Sequence, residues 1–209
     1  MEIKASDVAK LRQMTGAGMM DCKKALVEAE GDFNRAQEII REKGKLVAAK
    51  RSDRETTEGK VVALVNADNT KDIITALGCE TDFVAKNAEF QELAGNIAKA
   101  ALENFPADLA GLMACSFNGQ TVEDAITQQT GKSGEKHAVP FYASIEAPYI
   151  ASYMHVINGK LAAIVGFNKV VAPEVGKGIA MQVASMNPVA LDAELCKKIT
   201  LLLFLLFSC

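Results

Sequence analysis

A β-hairpin followed by a helix occurs twice in this chain, roughly 90 residues apart, and this repetition constrains the fold more than any other feature. In the first copy, Val61, Val62, Leu64 and Val65 form one β-rich run and Ile73, Ile74, Ala76 and Leu77 the next, with turn formers over 66–69 between them. A helical run over 85–104 follows. It carries Phe90, Leu93, Ile97 and Ala101 at the spacing of a single helix face, with Pro106 just past its end. In the second copy, residues 145–156 read as one strand, Asn158-Gly159 as a hairpin turn and 161–167 as the return strand. Pro173 marks a break, and 175–186 is helical through Ile179, Met181, Val183 and Ala184. A sheet with one apolar face must bury it against another layer, and a helix follows each hairpin in position to do so. The core is therefore expected to be two related α+β subdomains.

Ahead of this core, residues 1–44 read as three short helices. Ser6 is placed to cap the first, which carries Val8, Leu11 and Met14. Thr15-Gly16-Ala17-Gly18 breaks the chain, and a second helix from Met19 shows Cys22, Ala25, Leu26 and Ala29 on one face. Gly31 is placed at its C′ position. Asp32 then caps a third helix, with Phe33, Ala36, Ile39 and Ile40 on its face and Gly44 at its end. So small a core suits a docking unit better than an enzyme. The basic run Lys45, Lys50, Arg51 and Arg54 is read as a solvated helix end and linker in preference to a phosphate or acidic-partner contact. Over 107–138, Val122, Ala125 and Ile126 suggest a short helix, and 131–134 a mobile loop. The expected division is a docking unit with its linker over 1–54, a first subdomain over 55–138, a second, incomplete one over 139–192, and an atypical tail over 193–209.

Several function classes find no support. Net charge is −3, Trp is absent and aromatics are few, so neither a basic field nor a base-stacking surface points to nucleic acid. The five cysteines, Cys22, Cys79, Cys115, Cys196 and Cys209, are scattered and never form a Cys-x-x-Cys pair. A disulfide framework or metal site is not expected, and a reducing compartment is. The N-terminus has no signal or transit pattern. The apolar run 199–207 falls far short of the ~20 residues of a membrane span. It is read as an abnormal end in preference to a buried strand or helix end. His137 and His155 are far apart, and no nucleophile elbow, zinc-protease or dinucleotide motif is present, so neither catalysis nor a cofactor is expected. Gly131-Lys132-Ser133 resembles the end of a phosphate-binding loop. The glycine such a loop needs five residues earlier is Ile126, which removes the turn that would wrap a phosphate.

The sharpest local feature is Thr81-Asp82-Phe83-Val84, where the second β-run hands over to a helix. A rigid strand-to-helix turn suits the presentation of side chains to a partner. Phe83 also lies seven residues before Phe90, so it fits equally as a plug at the base of the helical stripe, with Asp82 as a cap. The residues alone favour the plug. Met19 and Met20 read equally as core filler or as an adaptable docking surface. His155, near a strand end, reads as a surface residue.

The run TGAGMMDCKKALVEAEGDFNRAQEIIREKG (15–44) resembles the N-terminal signature of bacterial elongation factor Ts, and TDFVAKNAEF (81–90) resembles its second. ASYMHVINGKLAAIVGF (151–167) and GIAMQVASMNP (178–188) are similar to its later core segments, in the same order and spacing, over about residues 1–192. The resemblance implies a ubiquitin-associated-like docking unit on a two-subdomain α+β core, and a guanine nucleotide exchange factor for elongation factor Tu. It also implies the site residues. Asp82, Phe83 and Val84 would form a tip that intrudes near the partner's magnesium site, and His155 would perturb the segment cradling its phosphates. Gly131 would make a further contact, and Met19 and Met20 would lie on the docking surface. With that resemblance the wedge reading of Phe83 overtakes the plug. The competing expectation is an inert scaffold carrying an interaction module, or an inactive copy. The family continues well past this chain's end, so contacts made by its last part are not expected here.

Overall fold

The computed structural model describes residues 3–155, 159–188 and 190. Three helices come first: α1 (Ala5–Thr15), α2 (Met19–Glu28) and α3 (Phe33–Lys50). Gly16 closes α1 in the left-handed region at φ 66°, its N–H donating to Arg12 O. After α2 the C′ position is Glu30, one earlier than expected, and both Glu30 and Gly31 take positive φ, 51° and 86°. The Glu30 and Gly31 amides then reach back to Val27 O and Leu26 O, which satisfies the last carbonyls of the helix. The Asp32 carboxylate caps α3 by accepting from the Asn34 and Arg35 amides. Val8, Leu11, Cys22, Ala25, Leu26 and Ala36 make a small separate core, flanked by Phe33, Ile39 and Ile40.

The α3 helix does not stop at Gly44. It continues to Lys50 because Gly44 is buried where a second helix crosses it, and a side chain there would meet Thr127 O at 3.3 Å. The basic run is correspondingly divided. Lys45 and Lys50 are exposed on α3, whereas Arg51 turns inward to an acidic partner described below.

The central sheet pairs β1 (Glu58–Val65) with β2 (Lys71–Cys79), and β2 with β5 (Ala138–Glu146), all antiparallel. On one face Val62, Ile73, Leu77 and Cys79 pack against Phe90, Ala94, Ile97 and Ala101 of α5 (Ala88–Asn104). On the other, Val61, Ile74, Ala76 and Ala143 meet Ala162 of a second sheet. That sheet is the hairpin of β6 (Tyr149–Met154) and β7 (Ala162–Phe167), with α8 (Pro173–Met186) packed on it. Because both faces of β2 are covered, every residue after Lys71 is buried, with no alternation along the strand. The architecture is α+β, with N-terminal helices and two hairpin-plus-helix units.

Between the two units lie α6 (Leu109–Ala114), the short pair β3 (Ser116–Phe117) and β4 (Gln120–Thr121), and α7 (Val122–Ser133). Two expectations change here. The mobile loop over 131–134 is instead the last turn of α7, which runs to Ser133 with Gly134 left-handed after it. The single strand over 145–156 is two strands in different sheets, β5 ending at Glu146 and β6 starting at Tyr149. The Asn158 turn position, Cys196, Cys209 and the apolar run 199–207 lie outside the described residues. Cys22, Cys79 and Cys115 are free and buried.

Candidate functional site

The tip is a helix of a single turn, α4 (Asp82–Ala85), between β2 and α5. It is not the start of α5. The chain breaks at Lys86-Asn87, where the Asn87 side chain accepts from the Glu89 amide and caps a new helix. That break takes Phe83 off the Phe90 stripe, so the plug reading fails on geometry. Phe83 is 84% exposed, among the most exposed of the large apolar side chains, while Phe90 is fully buried. Ala85 and Val84 on the same turn face inward: Ala85 is in the main core and Val84 packs on it. One turn therefore anchors two residues and leaves the aromatic ring outside. Asp82 begins α4, with its carboxylate 2.7 Å from Lys86 Nζ. That hydrogen bond holds the Asp82 pKa below the usual carboxylate range.

Residues that the sequence did not single out brace this turn. Glu135, just after α7, accepts on Oε2 from the Glu80 and Thr81 amides at 3.1 and 3.0 Å, and on Oε1 from the Thr81 hydroxyl at 2.6 Å. In return, Glu80 Oε1 accepts from the Lys136 amide at 2.6 Å and from Arg51 Nη1 at 2.7 Å. These donors hold the Glu80 pKa below its ordinary value, the Lys136 amide first. Lys136 Nζ donates to the Ser52 and Arg54 carbonyls at 2.6 and 2.8 Å. The only hint in the sequence was position, since Glu80 directly precedes the tip motif. Glu135 is 54 residues from Thr81, a pairing that no local pattern reveals.

The other expected site residues are spread over the fold. Met19 and Met20 open α2 and are 44% and 65% exposed, outside the core made by Cys22, Ala25 and Leu26. Met14, Asp21 and Gly131 line a common groove of about 370 Å³ where the first three helices meet α7. His155 follows β6; its Nδ1 lies 3.0 Å from the Tyr153 hydroxyl and its N–H donates to Leu161 O. His137, by contrast, is buried beside Phe90, with ring centroids 5.6 Å apart. Its Nδ1–H donates to the Glu135 carbonyl at 2.9 Å, and burial keeps its pKa below the ordinary value. No group of three or more potential metal ligands occurs among the described residues, and none of their helices is long and apolar enough to cross a membrane.

Gly131 has a packing role of its own. A Cβ built there would sit 2.8 Å from Gly44 Cα, so α3 and α7 cross glycine on glycine. Helix backbones approach this closely only without side chains between them. Gly131→Ala is expected to destabilise the chain by about 1–3 kcal/mol through overpacking, read as a lower urea midpoint. An unchanged midpoint would show that the crossing relaxes freely.

A family profile described as "Elongation factor TS" matches residues 80–201. Among curated relatives, the "Elongation factor Ts" of Christiangramia forsetii is 52% identical over 195 residues, covering 92% of this chain and 70% of the relative. That of Bacteroides fragilis is 49% identical over 194 residues, covering 93% of this chain and 58% of the relative. That of Flavobacterium johnsoniae is 46% identical over 212 residues, covering 96% and 65%. The chain thus spans between 58% and 70% of the length of these relatives.

Proposed function

The chain belongs to the elongation factor Ts family, and from that premise we propose that it is a guanine nucleotide exchange factor for elongation factor Tu, acting in the cytoplasm during translation elongation. The observation that carries the reading is Phe83, an aromatic ring 84% exposed on a turn whose neighbours are locked into the core. A large apolar side chain held outward in this way is a natural wedge, since little ordering entropy remains to be lost on insertion.

GDP in such a partner is held by backbone amides and by Mg²⁺ bridging phosphate oxygens. The factor need not touch GDP. It must bind the nucleotide-free partner better than the GDP-bound one, and each ligand then weakens the other by the same factor. In this reading Asp82, Phe83 and Val84 enter near the magnesium site and displace the side chains that support it. His155 acts on the phosphate-cradling segment, Met19 and Met20 dock residues 1–54 on the nucleotide-binding domain, and Gly131 adds a contact. Residues 55–138 and 139–192 carry the tip and His155 as two subdomains. No covalent step is needed, so the protein is not an enzyme in the chemical sense and uses neither a cofactor nor direct nucleotide contact.

Reciprocity is the test. The affinity of the full chain for nucleotide-free elongation factor Tu is expected to exceed that for the GDP-loaded partner by roughly tenfold or more, measured by titration calorimetry. Equal affinities would remove the thermodynamic basis of exchange.

A further inference from the structure

The α4 helix is too short to fix its own direction. A single turn has almost no intrinsic stability, because the ordering entropy of a helix is recovered only as hydrogen bonds accumulate along it. Ala85 and Val84 tether one side of the turn, and the Phe83 side is largely exposed, so little packing among the described residues sets its angle. The Gln91 side chain holds the turn from the α5 side by donating to the Ala85 carbonyl, and on the other side its direction is set by the residues just before it, Glu80 and Thr81.

Those two residues are held by a reciprocal clasp. The Glu135 carboxylate takes the amides of residues 80 and 81 and the Thr81 hydroxyl, while the Glu80 carboxylate takes the amide of residue 136. Each segment thus grips the backbone of the other through a charged acceptor, the stronger kind of hydrogen bond. The clasp is fixed at both ends. The Glu135 carbonyl accepts from buried His137, whose ring packs on Phe90 at the heart of the core. Arg51, at the C-cap of α3, donates to Glu80, and Lys136 donates to the carbonyls of Ser52 and Arg54. The tip is thereby tied both to the core and to the end of the last helix of the N-terminal unit.

We infer that Glu135 and Glu80 are positioning residues that aim the Asp82-Phe83 tip and fix its register to the N-terminal helices. The inference rests on the exchange reading. Glu135 would act only through Phe83, so its removal has a signature that a general loss of stability lacks. In a double-mutant cycle on the full chain, Glu135→Ala is expected to lower the maximal GDP-release rate roughly tenfold. The half-saturating concentration should change little, because the helical docking unit is untouched. Added to Phe83→Ala, the same substitution should have almost no further effect, because both act through one group. Glu135→Gln, which keeps one acceptor oxygen for the amides, should restore part of the rate. It also serves as the working variant if Glu135→Ala melts without cooperativity.

The clasp itself is read by hydrogen exchange, where the Glu80 and Thr81 amides should be protected in the parent chain and exposed in Glu135→Ala. A Glu135 effect of equal size with and without Phe83, or a variant as fast as the parent, would overturn the positioning role. A parent chain that leaves GDP release unchanged would instead overturn the exchange reading. Amides of residues 80 and 81 that were still protected would then assign the clasp to fold stability alone, also against the inference.

Discussion

Phe83→Ala is expected to remove most of the exchange activity while leaving the fold untouched. A central aromatic anchor is typically worth about 2 kcal/mol or more at an interface, which corresponds to a loss of roughly 30-fold in the rate of GDP release at a fixed chain concentration. The same ring is 84% exposed in the free chain, so the stability change should stay within about 0.5 kcal/mol. The two readouts move apart only if Phe83 is used on a partner. Phe90→Ala, seven residues on, is the internal contrast. That ring is fully buried in the main core, and its loss should cost about 3–5 kcal/mol of stability. A melting curve for Phe83→Ala that fell as far as that of Phe90→Ala would restore the plug interpretation.

Asp72→Asn is expected to stabilise the protein, and by an amount that grows with pH. Asp72 sits near the start of β2, between Val65 of β1 and Ile145 of β5, on the face that meets the second sheet. It is fully buried, and neither carboxylate oxygen accepts a well-formed hydrogen bond. Burial pushes its pKa from 3.8 up to about 7, only partly offset by the Ser152 hydroxyl and the Ile73 and Leu64 amides. The folded chain therefore keeps a proton that the unfolded chain has released between those two values. Stability falls as pH rises from about 4 to about 7 and levels off above. Asparagine has the same shape and no charge to desolvate. Its advantage should be near zero at pH ~4 and reach about 2–4 kcal/mol at pH ~8, read from urea unfolding at the two pH values. Glu80 has the opposite sign. Its folded pKa is depressed, so its contribution is present above the ordinary carboxylate range and lost only as pH falls below it. Parallel pH profiles for Asp72→Asn and the parent would contradict the buried-acid account.

The parts of the fold that were legible in the sequence are those whose periodicity is local. The β1–β2 hairpin, the Asp32 cap and the apolar faces of α2 and α5 need only nearby residues to be recognised. The misread parts depend on distant ones. Gly44 reads as a helix end and Gly131 as part of a loop, because glycine weakens isolated helices. Here the two glycines meet each other, and the close crossing of α3 on α7 is their reason. Residues 139–144 of β5 carry no sequence expectation, and Pro140 among them argues against a strand. The structure places Pro140 on an edge strand, where the β2–β5 register shifts between Ala76 and Gly78, a position that tolerates proline.

The candidate site divides in the same way. Asp82 and Phe83 stand out at a strand-to-helix turn, whereas Met19 and Met20 read equally as core filler or docking surface until the family resemblance is added; the structure leaves Phe83, Met19 and Met20 exposed. Periodicity gave the wrong side for Phe83, since it assumed one helix where Asn87 starts a second. Glu135 could not be found at all, because a carboxylate that grips a backbone across 54 residues leaves no spacing to read.

The most direct measurement is the release of a fluorescent GDP analogue from elongation factor Tu, followed by stopped flow against rising concentrations of the full chain. The expected result is a release rate that climbs with chain concentration and then saturates. An unchanged rate at micromolar chain contradicts nucleotide exchange by this protein.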